Sequence, residues 1–384
     1  MYADPHTDPS LTPARAIDEA ALRAVDRALA ALRRGEAVAI ETAGGTVGAA
    51  LSVEAVATDA VERLTTLTGR RPVLAVTRRR AMMLKLAEEG NGVIALSLPD
   101  GVDSDQAHAL ADPGYRPDGP LPEGLTTAVA EPGSCEAAAV DLARLARLLP
   151  AAVVAPAPDA RGRAADWAAE QDLLLVRAAD IADYQVHVTR TLRQVADARV
   201  PLDGAENTRI LAFRPADGGP EHLAIIIGDP APDQPVLARL HSECFTGDLL
   251  GSLRCDCGEQ LRGAIQQISA QGSGVLLYLA QEGRGIGLVN KLRAYRIQDR
   301  GFDTVDANEM LGFEADERVY LPAAEMLRQL GFNRVRLLTN NPEKLRQLAR
   351  CGIEVVERVA HIFPANGHNE GYLRTKAERS GHMF

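Results

Sequence analysis

A chain of 384 residues has the length of two domains, each able to bury a core of its own. With 46% hydrophobic and 24% charged residues it has the composition of an ordinary globular protein, and a formal net charge of −10 argues against a broad basic surface for nucleic acid or anionic lipid. No apolar run of about 18 residues predicts a membrane-spanning helix, and "MYADPHTDPSLTPARAIDEA" lacks the basic and apolar regions of a signal peptide. A cytoplasmic protein is expected, and in a reducing compartment clustered cysteines serve metal binding or catalysis more often than disulfides.

Residues 1–13, polar and proline-bearing, read as a loose tail. Apolar spacing predicts a helix over about 17–34. "EAVAIE" (Glu36–Glu41), "PVLAVT" (Pro72–Thr77) and "GVIALSL" (Gly92–Leu98) read as strands, and "DPGYRPDGPLPEG" (Asp112–Gly124) as a loop. "AAVVAPAP" and "DLLLVRAADIADYQ" add two strand-like pieces. The text changes near 190–205. Beyond it the strand candidates His222–Asp229, Gly274–Leu279, Arg334–Thr339 and Ile353–Val359 alternate with helix candidates near 258–271, 287–300, 322–330 and 342–351. That alternation predicts a layered α/β domain with a largely parallel sheet.

"HSECFTGDLLGSLRCDCGEQ" holds Cys244, Cys255 and Cys257, spaced C-x10-C-x-C, in a chain with five cysteines. Zinc takes thiolates, uses four protein ligands in structural sites and keeps a place for water in catalytic ones. Three local thiols without a local fourth favour an open, catalytic site. The alternative is a closed site completed by a distant histidine such as His241 or His361. Metal-bound water is acidified towards neutrality and becomes able to attack an electrophilic carbon. Cys135 and Cys351 have no cysteine neighbour and read as small core residues.

Other pieces are less specific. "QEGRGIG" (Gln281–Gly287) is a glycine-rich turn between a strand and a helix, able to offer N–H groups to phosphate, with Arg284 as a further contact. "ADERVY" (Ala315–Tyr320) places Asp316, Glu317 and Arg318 in a row, read plainly as a charged helix start. "TNNPEK" (Thr339–Lys344) is an asparagine cap with proline in the first turn, but it follows a strand, where α/β sheets bind ligands. Tyr295 lies one helical turn from Lys291 and either packs or offers a phenol.

In order, these pieces resemble the GTP cyclohydrolase II family, which opens riboflavin biosynthesis. The resemblance covers about 191–384, from "ARLHSECFTGDLLGSLRCDCG" through "LYLAQEGRGIGLVNKLRAYRIQDRGFDTVDANEMLGFEADER" and "VRLLTNNPEK" to "NEGYLRTKAERSGH". It implies zinc on Cys244, Cys255 and Cys257. It implies GTP contacts at Arg239, Leu240, His241, Ser242, Glu243, Gln260, Glu282, Gly283, Arg284, Thr304, Thr339 and Lys344. Asp316 takes the place of the family's proton acceptor, Arg318 of its proposed nucleophile at phosphorus, and Tyr295 of its active-site tyrosine. Arginine is protonated almost always, so physical reasoning makes Arg318 an electrostatic clamp instead. The implied reaction converts GTP to 2,5-diamino-6-ribosylamino-4(3H)-pyrimidinone 5′-phosphate, formate and pyrophosphate, with Mg²⁺ on the triphosphate, in a homodimer.

Residues 14–190 resemble 3,4-dihydroxy-2-butanone 4-phosphate synthase, through "RALAALRRGEAVAIETAGG", "LTTLTGRRPVLAVTRRRAMMLKL" and "DLLLVRAADIADYQ". That family carries an acidic, metal-binding loop after its first strand. Here "TAGGTVGAA" (Thr42–Ala50) has no carboxylate, and a hard cation needs oxygen ligands. The expected architecture is two mixed α/β domains: an α+β synthase-like domain over 14–190 without synthase activity, and a GTP cyclohydrolase II domain over 191–384. The competing readings are a non-catalytic GTP-binding regulator and a bifunctional enzyme.

Overall fold

The structure is a computed structural model that describes residues 18–54, 60–114, 121–363 and 379. The expected tail and all of the closing motif "NEGYLRTKAERSGH" but Arg379 lie outside them. The chain divides into two compact units. One, here the amino-terminal unit, joins Asp18–Gln185 to Ile286–Glu317; the other, the carboxy-terminal unit, contains Val186–Gly285 and residues from Arg318 onward. The stretch Ile286–Glu317, read from the sequence as part of the cyclohydrolase-like half, thus packs with the synthase-like half.

The amino-terminal unit is built on a seven-stranded sheet of order β5-β4-β3-β6-β2-β1-β7. Its strands are β1 Val38–Glu41, β2 Val47–Ser52, β3 Val73–Thr77, β4 Val93–Ser97, β5 Thr126–Ala130, β6 Ala151–Pro156 and β7 Leu174–Arg177. All neighbours run antiparallel except β1 and β7. The inner strands are alanine- and valine-rich because both faces are covered, and every residue of β2 is buried. Thr42–Ala50 is a loop only as far as Thr46, closed by Thr46 N donating to Thr42 Oγ1 at 3.2 Å with Gly45 at φ +73°; Val47 onward is strand. "DLLLVRAADIADYQ" divides as well. Its apolar Leu174–Val176 enter the sheet, and the alanine-rich Ala178–Arg190 form a helix. Helices at Ala60–Thr68 and Cys135–Leu145, absent from the sequence reading, cover the sheet, and a third, Ser104–Ala111, adds Ala107, Leu110 and Ala111 to its core. Cys135 is buried, as expected of a core residue, and burial pushes its thiol up to about 12.

In the carboxy-terminal unit the order is β14-β13-β11-β12-β10-β9-β8. The strands are β8 Arg193–Arg199, β9 Thr208–Arg214, β10 His222–Ile227, β11 Val236–Ser242, β12 Gly274–Leu279, β13 Arg334–Leu338 and β14 Glu354–Val359. β14, β13, β11 and β12 are mutually parallel, whereas β10, β9 and β8 follow antiparallel. The expected largely parallel sheet is therefore mixed. The physical reason lies in the connections, since residues 200–207 and 215–221 are too short for the crossover that parallel neighbours need. Apolar residues on one face, including Leu211, Phe213, Leu240 and Leu277, pack on the helix Leu321–Gln329. Those on the other, including Ile225, Leu237 and Leu276, pack on the helix Cys257–Ala270. The central parallel strands β13, β11 and β12 thus end side by side, at Leu338, Ser242 and Leu279.

Candidate functional site

The cysteine loop grows directly from the end of β11. Glu243 N donates to Leu279 O at 2.8 Å, extending the ladder with β12 by one residue. The chain then turns through Cys244 and a single π turn, Phe245–Leu249, before Cys255 leads to the Asp256 cap and Cys257 opens the next helix. The three sulfurs lie within 4.8 Å of one another, the one such cluster of potential ligands among the described residues. Gly247 makes this possible. A Cβ there would stand 2.8 Å from Cys255 Sγ and 3.0 Å from Cys244 Sγ, so the thiols converge over a bare backbone. Gly258 is needed likewise, because its Cβ would meet Gly247 O at 2.4 Å.

Asp248, in the spacer between the cysteines, holds the loop in place. Its carboxylate accepts from Cys244 N at 3.0 Å and from the Tyr278 hydroxyl at 3.0 Å, and it contacts His241 Nε2 at 3.0 Å. Burial, with the Asp248 charge behind it, pushes the Tyr278 phenol well above its usual range. Burial lowers the pKa of His241, partly offset by Asp248. The two rings stack at 5.6 Å. Hydrogen bonding from Cys244 leads the effects that lift Cys255 to about 11, and hydrogen bonds to Cys244 and Cys255 push Cys257 well above the ordinary thiol value. Three thiols this close resist becoming three thiolates, and a divalent cation at their centre removes that resistance. The donor set and the uncovered backbone of Gly247 fit a thiophilic ion such as Zn²⁺.

Neither histidine considered as a fourth ligand is placed for it. His361 faces Gln260 O at 2.9 Å and Gln267 Oε1 at 3.2 Å through its two ring nitrogens, and burial lowers its pKa to about 4. His241 turns Nε2 to Asp248, while its Nδ1 is buried without a partner.

The remaining carboxy-terminal residues gather at the same strand ends. Arg239 on β11 is 5% exposed; it donates to Leu338 O at 2.9 Å and to the Gln260 side chain, which in turn donates to Asp256. Burial lowers the Arg239 pKa to about 10, which still leaves a cation at neutral pH. Lys344 Nζ donates to Leu240 O at 2.8 Å. Thr339 Oγ1 accepts from Asn341 N at 3.0 Å, and Asn341 caps the helix Pro342–Arg350, as the cap reading expected. Glu282, 5% exposed, accepts from Phe245 N at 2.6 Å and ties the cysteine loop to the glycine-rich turn. Gly283 and Arg284 there have φ of +65° and +62°, and a left-handed arginine is strained backbone of the kind found at ligand sites. Arg239 Nε and Ser242 Oγ are buried without partners. Arg318 Cζ lies 5.9 Å from the Tyr320 ring.

Tyr295, Thr304 and Asp316 belong to the amino-terminal unit. Tyr295 is half-buried on the helix Leu288–Gln298, with Lys291 Nζ 5.8 Å from its ring, on the shared face that their spacing predicts. Thr304 opens the helix Thr304–Met310 behind the Asp303 cap, and Asp316 is exposed. Asp316–Arg318 has no regular secondary structure, and the helix start read there from the sequence comes at Leu321, with Pro322 in its first turn. Gly247, Asp248 and Tyr278 escaped the sequence reading. The clue available was a glycine and an acid side by side inside the cysteine spacer.

The three thiols at the carboxyl ends of parallel strands, with buried Arg239 and Lys344 beside them, form a donor set that could hold a metal ion in a mixed α/β unit. A profile of the GTP cyclohydrolase II family matches residues 193–360. A GTP cyclohydrolase-2 of Azospirillum brasilense is 78% identical over 387 residues, covering all of both chains. A GTP cyclohydrolase-2 of Shigella boydii is 53% identical over 193 residues, half of this chain and 98% of its own. The riboflavin biosynthesis protein RibBA of Synechocystis sp. is 48% identical over 255 residues, 64% of this chain and 46% of its own length. The chain belongs to the GTP cyclohydrolase II family.

Proposed function

We propose that the protein hydrolyses GTP to 2,5-diamino-6-ribosylamino-4(3H)-pyrimidinone 5′-phosphate, formate and pyrophosphate, for riboflavin synthesis. The observation that carries this reading is the convergence of Cys244, Cys255 and Cys257 over Gly247 at the end of β11. Those thiolates would hold Zn²⁺, which as a Lewis acid supplies activation of water and polarisation of the carbon under attack at C8 of the guanine. Asp248 fixes the loop that presents the first of them, and Glu282 anchors the loop to the glycine-rich turn.

Arg239, Arg284 and Lys344 are the cations assigned to the nucleotide, and Mg²⁺ would share the triphosphate charge. Leu240, His241, Ser242, Glu243, Gln260, Glu282, Gly283, Thr304 and Thr339 complete the proposed GTP contacts. Tyr295 donates a hydrogen bond as the ring opens, Asp316 accepts a proton, and Arg318 steadies the phosphoryl group as pyrophosphate leaves. The working form is a homodimer in the cytoplasm; no helix among the described residues is long and apolar enough to cross a membrane.

The bifunctional reading finds no support in the turn Thr42–Thr46, which has no carboxylate to bind a hard cation. Purified protein given GTP and Mg²⁺ should release formate and pyrophosphate, and should stop when a zinc chelator strips it. Binding of GTP without formate release from the zinc-loaded chain would establish the regulator instead. Conversion of ribulose 5-phosphate would establish the second activity.

A further inference from the structure

Within the amino-terminal unit, the stretch Ile286–Glu317 is fastened to the synthase-like fold by an unusual density of buried and charge-assisted contacts. Leu149, just before β6, is fully buried among Ile286, Ala294, Ile297, Leu311 and Phe313. Thr77 Oγ1, at the end of β3, donates to Gly312 O at 2.8 Å. Gly312 has φ +90°, and a Cβ there would stand 2.7 Å from that hydroxyl oxygen. Arg80 is 5% exposed and donates to Leu110 O at 2.8 Å and to Met310 O at 3.1 Å. Arg79 bridges Glu309 at 2.9 Å and Glu314 at 2.5 Å. From the other side, Arg293 pairs with Glu54 at 2.9 Å and Asp112 at 3.2 Å.

Arg80 and the Arg293–Glu54–Asp112 group are costly to bury unless paired, the Arg79 pairs lie nearer the surface, and each of these contacts joins the stretch to the synthase-like fold. The same stretch carries Tyr295, Thr304 and Asp316. We infer that the synthase-like fold is a working part of the cyclohydrolase, and that Arg79, Arg80 and Arg293 are positioning residues for GTP turnover. They hold in one conformation the segment that supplies these side chains. This inference rests on the proposed reaction. The Shigella relative, matched over 193 residues that make up 98% of its length, spans about half of this chain. In this chain the stretch gives its apolar side to Leu149 and its charges to Arg79, Glu54 and Asp112.

Charge reversal in the full-length, zinc-loaded chain tests it. Arg79→Glu, placed against Glu309 and Glu314, should lower kcat for formate release at least tenfold while zinc content stays at the wild-type level. Glu309→Arg added to it should restore at least a third of the lost rate, with the zinc content and denaturation midpoint of both variants at the wild-type level. Arg79→Gln serves if the reversal fails to fold, and should cost three- to tenfold in kcat. Wild-type kcat in Arg79→Glu or, should that not fold, in Arg79→Gln overturns the inference, as does a loss that Glu309→Arg leaves untouched. A wild-type chain that releases no formate would instead overturn the proposed reaction itself.

Discussion

Replacing Gly247 with alanine tests the metal centre at its tightest point. The added methyl would stand 2.8 Å from Cys255 Sγ, 2.9 Å from Cys257 Cβ and 3.0 Å from Cys244 Sγ, so at least one thiol must retreat. Overpacking of this kind costs roughly 1–3 kcal/mol. If that strain falls on the metal-bound geometry, at 1.4 kcal/mol per factor of ten, zinc should bind about 5- to 150-fold more weakly. The measurement is competition with a chromogenic chelator at fixed pH, with circular dichroism to show that the unit remains folded. Formate release should fall in step with occupancy and recover in excess zinc. Unchanged zinc affinity in a folded Gly247→Ala chain would refute the placement of the metal among these three sulfurs.

Cys255→Ser should lose zinc and ring opening together, read by metal analysis and formate assay; full occupancy would remove Cys255 from the ligand set. Asp248→Ala strands Cys244 N, the Tyr278 hydroxyl and His241 in a site where Asp248 is 6% exposed. It should destabilise the unit by about 1–3 kcal/mol, the cost of leaving buried donors unsatisfied, seen as a lower denaturation midpoint. Acid sensitivity should carry a histidine signature. His361 titrates near 6.5 when unfolded and at about 4 when folded, so between those values the unfolded chain binds more protons. Stability is full above about pH 6.5 and falls as the pH drops towards 4, by at most about 3 kcal/mol from this group. His361→Gln should flatten that part of a melting-temperature profile against pH; an unchanged slope would place the acid sensitivity elsewhere.

What the sequence disclosed depended on how local the determinant was. The cysteines declared themselves because metal chemistry restricts residue type and spacing within one loop. Most long apolar strands were equally plain. β11 was not read as a strand, because its buried positions include Arg239 and His241, which break the hydrophobic run. β8 is exposed throughout and has no alternation to betray it. Asp248 was hidden by distance, since one of its partners, Tyr278, is thirty positions away on another strand. The helix Thr304–Met310 is short, and its place depends on Thr77 and Arg80, more than two hundred positions earlier. No periodicity in Ile286–Glu317 announces which fold it joins.

The chain passes from one unit to the other after Gln185, returns after Gly285, and leaves again after Glu317. One cut at 185/186 would leave the amino-terminal piece without the two helices that shelter Leu149, and would leave those helices on the other piece without the fold they pack on. Neither unit can be lifted out of the gene as a single continuous block. Exchanging the amino-terminal unit between relatives would require two insertions made in concert. Deleting the amino-terminal unit as one block would therefore also uncover the apolar side of Ile286–Glu317 left behind.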